Sequence, residues 1–289
     1  MADTVITAIA AQKGGTGKTA LAASLGPLWA YAGRRTLLVD LDQQANLTYA
    51  FAINPAQLDA TVVDVLAPLN AVPMESAVLG DVHGVPGLDL VPCDERAEAL
   101  DTQLRSETMG VYKLSDALEA ARGRYDQVFM DCPPNIGELT VSALLAADEI
   151  ICPVNMGDIN AVRGLSRLTQ TVEKLNRRDA KVGFKTLVKV NSDDRENRYR
   201  LNSDALERLA DRLELSVART ELRSRAAWGT AVTQDLPLIL LDESDRGTRE
   251  AQADMHHLAR ELWPSVDFLY PSEIRTERKR AAEPRKAAA

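Results

Sequence analysis

The sequence predicts an α/β fold: a doubly wound, mostly parallel sheet flanked by helices. Three observations carry this. Near-continuous apolar runs recur along the chain, as strands buried on both faces require. Helical segments with one apolar face lie between them. A glycine-rich loop bearing two lysines joins the first run to the first helix. In such a sheet the ligand sits at the carboxyl ends of the strands.

The first strand is the β-branched run Val5-Ile6-Thr7-Ala8-Ile9-Ala10. The loop after it reads Lys13-Gly14-Gly15-Thr16-Gly17-Lys18-Thr19, and the helix follows in Ala20–Leu25. The phosphate-loop pattern G-x-x-x-x-G-K-[ST] is met except at its first position, where Gln12 replaces glycine. The glycines let successive N–H groups turn toward a phosphate, Lys18 adds positive charge, and the Thr19 hydroxyl can ligate Mg²⁺. Lys13 through Thr19, with Ala20 opening the helix, are therefore the candidate nucleotide-binding residues. Pro27 is expected to shorten or kink that helix.

Four more strands are expected at Thr36–Leu41, Gln127–Asp131, Glu149–Val154 and Phe184–Val190. One helix is expected over 161–177, with Val162, Leu165, Leu168, Val172 and Leu175 on one face. Others cover 203–214 and 248–263, with Ser203 and Thr248 as N-caps. The proline- and glycine-rich stretch 66–92 reads as an irregular connection, and no internal repeat is present. Two acidic motifs fall at strand ends: Asp40 and Asp42 in Asp40–Thr48, and Asp131 in Asp131-Cys132-Pro133-Pro134-Asn135. An aspartate there can hold the Mg²⁺ hydration shell, because Mg²⁺ keeps several waters and takes few protein ligands. A further carboxylate, Asp42, can orient the water that attacks a γ-phosphate.

Composition sets the outer limits. The 289 residues are 45% hydrophobic and 26% charged, which suits a globular protein with a full core. No apolar run reaches membrane-spanning length, and the N-terminus lacks a secretion-signal layout. Cys93, Cys132 and Cys152 are too scattered for a disulfide framework, so a reducing cytoplasm is expected and the three read as small buried hydrophobes. The net charge is −8, yet residues 274–289 hold six basic side chains against two acidic ones. The expected organisation is one domain over 1–265 and a basic, disordered tail over 266–289.

These motifs resemble the deviant Walker A, Walker A′ and Walker B segments of the ParA/MinD family of P-loop ATPases, most closely ParA-type partition proteins. The resemblance extends over residues 3–263, including Leu88–Pro92 and Ala146–Asp148. It implies ATP and Mg²⁺ as cofactors and slow intrinsic hydrolysis. It also implies an ATP-dependent homodimer in which Lys13 reaches the partner's phosphates. Lys18 and Thr19 then serve the phosphates and the metal. Asp42 positions water, and Asp40 and Asp131 lie near the metal; the catalytic set is Lys13, Lys18 and Asp42. The sequence departs from the family at Gln43 and Ala45, where Pro and Gly are common, and at Asn135, where serine is common.

By the same resemblance the ATP dimer binds double-stranded DNA without sequence preference. A ParB-like adaptor stimulates hydrolysis, and the cycle segregates a plasmid, chromosome or phage genome in a cytoplasmic, nucleoid-associated protein. Arg223 and Arg225 in Arg219–Trp228 are the first DNA-contact candidates, with Arg246 and Arg249 next. Trp228 is read as a packing residue, and Asn191 is a candidate adenine contact. The same cycle positioning a protein cargo is the main alternative. A MinD-like membrane cycler needs an amphipathic C-terminal helix, and 274–280 offers only Ile274 as an apolar anchor. An iron–sulfur reductase needs paired cysteines, and a sequence-specific repressor needs a DNA-reading domain ahead of the loop.

Overall fold

In the computed structural model, residues 3–282 are described except 159, 179, 194, 196, 243 and 244. Among the described residues seven strands form one sheet: β1 (Val5–Ile9), β2 (Thr36–Asp40), β3 (Leu88–Val91), β4 (Gln127–Asp131), β5 (Glu149–Asn155), β6 (Gly183–Ser192) and β7 (Leu222–Arg223). Their order is β3-β2-β4-β1-β5-β6-β7, and every pairing is parallel. The helices are α1 (Lys18–Tyr31), α2 (Asn46–Tyr49), α3 (Val62–Val65), α4 (Leu100–Ser106), α5 (Lys113–Glu119) and α6 (Glu138–Ala146). They continue with α7 (Ala161–Asn176), α8 (Asn197–Leu213), α9 (Ala226–Thr233), α10 (Arg246–Leu262) and α11 (Pro271–Ala282).

Register explains how two distant acids meet. Thr36 of β2 pairs with Gln127 of β4, and the ladder ends with Asp40 opposite Asp131. Ile9 of β1, four residues before Lys13, flanks Asp131 on the other side. The strand ends therefore deliver the loop and both acids to one edge of the sheet. Apolar cores fill both faces. One gathers Val39, Val128, Ile150 and Leu187; the other gathers Leu38, Phe129, Ile151 and Val188. Neighbouring residues of a strand belong to opposite cores, as the two-residue side-chain period dictates.

Several expectations are corrected. Helix α1 runs unbroken to Tyr31 through the buried Pro27, because Leu25, Leu28 and Trp29 pack into the core and hold the last turn. Gly26 lets this helix approach β2, since a Cβ there would lie 2.9 Å from Leu38 Cδ2. Helix α8 starts at Asn197, which places Ser203 inside it rather than at its cap. Helix α10 starts at Arg246. Its cap is Asp245, whose carboxylate accepts from the Thr248 N–H at 2.9 Å and the Thr248 hydroxyl at 2.7 Å. The stretch 66–92 contains two short 3₁₀ turns and the edge strand β3.

The boundary at 265 does not hold as a break in structure. Phe268 and Ile274 are buried in the second core, and residues 271–282 form α11. These two apolar anchors order a segment whose charge alone suggested disorder. The rest of the expected tail, 283–289, lies outside the described residues. Among the described residues no helix is long and apolar enough to cross a membrane.

Candidate functional site

The loop between β1 and α1 is shaped by its glycines. Gly17 stands at the N-cap of α1 with φ +81°, a left-handed conformation that side chains resist. This turn leaves the first N–H groups of a 14-residue helix facing the loop. A Cβ added at Gly14 or Gly15 would meet nothing within 4 Å, so the loop encloses open space. That space suits an anion: unpaired N–H groups, the positive end of the α1 dipole and Lys18 converge on it. Lys18 is 6% exposed, and its Nζ donates to the Lys13 carbonyl at 3.2 Å.

The acids sit directly behind the loop. The Thr19 hydroxyl donates to Asp131 Oδ2 at 2.6 Å, while Asp131 Oδ1 is buried with no partner. Asp40 is satisfied: its Oδ2 accepts from the Thr48 N–H at 2.9 Å and the Thr48 hydroxyl at 2.8 Å, and its Oδ1 from the Asp42 N–H at 3.1 Å. Burial raises the pKa of both carboxyls, and at Asp131 the neighbouring Asp40 charge adds to it. A cation reverses that logic, because it stabilises the ionised pair. The orphaned Asp131 oxygen beside the Thr19 hydroxyl thus fits a hydrated Mg²⁺. Among the described residues no cluster of three or more His, Cys, Asp or Glu forms an all-protein metal site.

Asp42 is 7% exposed and lines the cavity above the loop, with its Oδ1 accepting from the Gln44 N–H at 3.0 Å. Lys13 is exposed and forms an ion pair with Asp158, whose carboxyl it holds below its ordinary pKa. The cavity measures about 570 Å³ and runs from Gly14–Thr19, Asp42 and Pro134 to Trp228 and Leu236–Leu238. Sequence reasoning missed the wall at 236–238 altogether. Trp228, expected only to pack, lines the cavity, and its Nε1–H donates to the Arg223 carbonyl at 3.0 Å. Asn191 does not line this cavity and donates instead to Asn155 Oδ1 at 3.2 Å.

The arginines separate into different environments. Arg223 is exposed. Arg225 turns inward, with its side chain 16% exposed, and pairs with Glu250 and, at 3.5 Å, with Asp254. Its charge is spent within the fold, which corrects the expectation that it faces a nucleic acid. Arg246 donates to Glu250 at 2.6 Å on the exposed face of α10, and Arg249 is exposed on the same helix. All three cysteines are buried, and burial pushes the Cys152 thiol up to about 12.

Comparison with known proteins agrees with this geometry. The family described as an AAA domain matches residues 4–185. The sporulation initiation inhibitor protein Soj of Bacillus subtilis (strain 168) is 31% identical over 245 residues, covering 84% of this chain and 93% of that protein. The chain belongs to the ParA/MinD family of ATPases. The chromosome partitioning protein ParA of Caulobacter vibrioides (strain NA1000 / CB15N) is 39% identical over 172 residues, which span 59% of this chain and 62% of that protein. A solved structure of cobyrinic acid a,c-diamide synthase from Mycobacterium smegmatis, with bound ADP and magnesium, superposes with a TM-score of 0.69. It is 31% identical and covers 80% of this chain and 91% of that one. The family match takes in β1 to β5 and the loop, and β7 and helices α8 to α11 lie beyond it.

Proposed function

We propose that this protein is a Mg²⁺-dependent ATPase that dimerises on ATP, binds DNA without sequence preference and segregates a DNA molecule with a ParB-like partner. The observation that carries the reading is the convergence of Gly14–Thr19 and Asp42 on one open cavity, with Asp131 held behind it by the Thr19 hydroxyl. Its relatives include partition proteins, which favours DNA as the cargo over a protein complex.

The roles follow from the chemistry of phosphoryl transfer, where positioning and charge do nearly all that the protein must do. Gly14–Gly17 N–H groups and Lys18 hold the phosphates. Thr19 and Asp131 hold the metal with Asp40 close behind, and Mg²⁺, when bound, neutralises charge developing on the phosphate oxygens. Asp42 orients the attacking water from its place above the loop. Lys13 leaves Asp158 and lends its ammonium to the partner's phosphates, which makes hydrolysis depend on dimerisation.

Phosphate release and DNA retention test the reading together. The account expects slow turnover with ATP alone, faster turnover with DNA and a ParB-like partner, and retention on DNA only with ATP. DNA retention equal in ADP and ATP would contradict it.

A further inference from the structure

The cavity wall at Asp235–Leu238 runs directly into the 3₁₀ turn Leu238–Leu240. Residues 238–241 are nearly fully buried, so their carbonyls need donors that water does not supply. Side chains from two later helices provide them. Gln252 of α10, itself 1% exposed, donates its Nε2 to the carbonyls of Leu238 and Leu241, both at 2.9 Å. Arg278 of α11 donates its Nη1 to the Leu240 carbonyl at 2.5 Å.

Helix α11 is itself firmly seated. Ile274 is fully buried, Glu273 accepts from the Tyr270 N–H at 2.7 Å, and the Tyr270 ring lies 4.1 Å from that of His256. Helix α11 thus reaches back to the turn that continues the wall of the candidate nucleotide site.

We infer that Arg278 is a positioning residue for nucleotide binding, holding the wall Asp235–Leu238 in place through the Leu240 carbonyl. The inference rests on the ATP reading. With the phosphates on Gly14–Thr19, the rest of the cavity runs along Ala23, Tyr49, Ala50, Trp228, Val232 and Leu236–Leu238, with Ser24, Gln44, Asn46 and Asp235 as its polar members. These mostly apolar surfaces suit a base and sugar rather than a phosphate. Arg278 therefore acts on the nucleoside end and leaves the phosphate end alone.

The test compares Mg-ATP with Mg-tripolyphosphate, which carries the phosphates without a nucleoside. Binding is titrated to the full-length chain and to two variants. Arg278→Met keeps the apolar stem and removes the donor, and Arg278→Lys restores a charged donor. A charged hydrogen bond lost at the wall is expected to weaken ATP about three- to tenfold in Arg278→Met. Tripolyphosphate affinity stays unchanged, Arg278→Lys recovers part of the loss, and the amides of residues 238–241 exchange faster in Arg278→Met. ATP affinity equal to wild type in Arg278→Met overturns the inference while leaving the ATP reading intact. An equal loss for ATP and tripolyphosphate also overturns it, since that is general destabilisation. A wild-type chain that binds tripolyphosphate and ATP equally overturns the nucleotide reading, and this inference with it.

Discussion

The loop Lys13–Thr19 and the segment Arg223–Arg225 are both cationic stretches that follow a parallel strand, yet they use their charge in opposite ways. The loop faces a cavity with its N–H groups unspent, and its buried lysine holds only a backbone carbonyl. In the second segment Arg225 is neutralised by Glu250 and Asp254 from α10, and only Arg223 is left on the surface. A run of basic residues is therefore not yet a basic surface. What decides is whether the next elements bring carboxylates to it.

Substitution sharpens the contrast, beginning where the effect should be greatest. Lys18→Ala removes the buried cation at the phosphate end. ATP affinity or turnover is expected to fall at least about a hundredfold, measured by nucleotide titration and phosphate release. Normal turnover in that variant would remove the loop from the mechanism.

Arg225→Ala takes away the cation shared by Glu250 and the half-buried Asp254, and leaves Glu250 with Arg246. A stability loss of about 2–3 kcal/mol in urea unfolding is expected, as for a partly buried pair broken on one side. If stability is unchanged, Arg225 is not the internal strut described above.

Arg223→Ala should leave stability alone and weaken DNA retention. The slope of log affinity against log salt should fall by about 0.9, the value for one lost phosphate contact. An unchanged slope would move the DNA surface elsewhere, with Arg249 the next residue to substitute.

The smallest effect concerns the seat of α11. His256 is buried, its Nε2 lies 3.1 Å from the Phe268 carbonyl, and burial holds its pKa below the ordinary 6.5. The unfolded chain then binds a proton more readily than the folded one as pH falls below 6.5. Its contribution is fully present above that value and is lost as pH falls through the folded pKa. Against His256→Gln, wild type should lose stability more steeply between pH 7 and pH 5 in denaturant titrations. Parallel curves would show that this histidine takes up its proton alike in the folded and unfolded chain.

What the sequence made legible follows the range of the interaction. Lys13–Thr19 could be read because glycine spacing, lysine and threonine act within one turn of backbone. The inner strands were legible because burial on both faces demands unbroken apolar runs. Asp40 and Asp131 were legible as strand-end acids, although their side-by-side register depends on β2 pairing with β4. The partner of Lys13 was not legible, because Asp158 lies 145 residues away. Nor was the inward turn of Arg225, which α10 alone decides. Helix α11 was hidden by its own composition: Ile274 is one apolar residue among charges, and its weight comes from the core it enters. The short strands β3 and β7 carried too few residues to declare themselves.

The central claim is that two chains close on ATP through this loop. Light scattering on Asp42→Ala, in which hydrolysis is blocked, tests it most directly at saturating Mg-ATP. The account predicts a mass of twice 31.5 kDa with ATP and 31.5 kDa with ADP. A mass of 31.5 kDa in both nucleotides would contradict it.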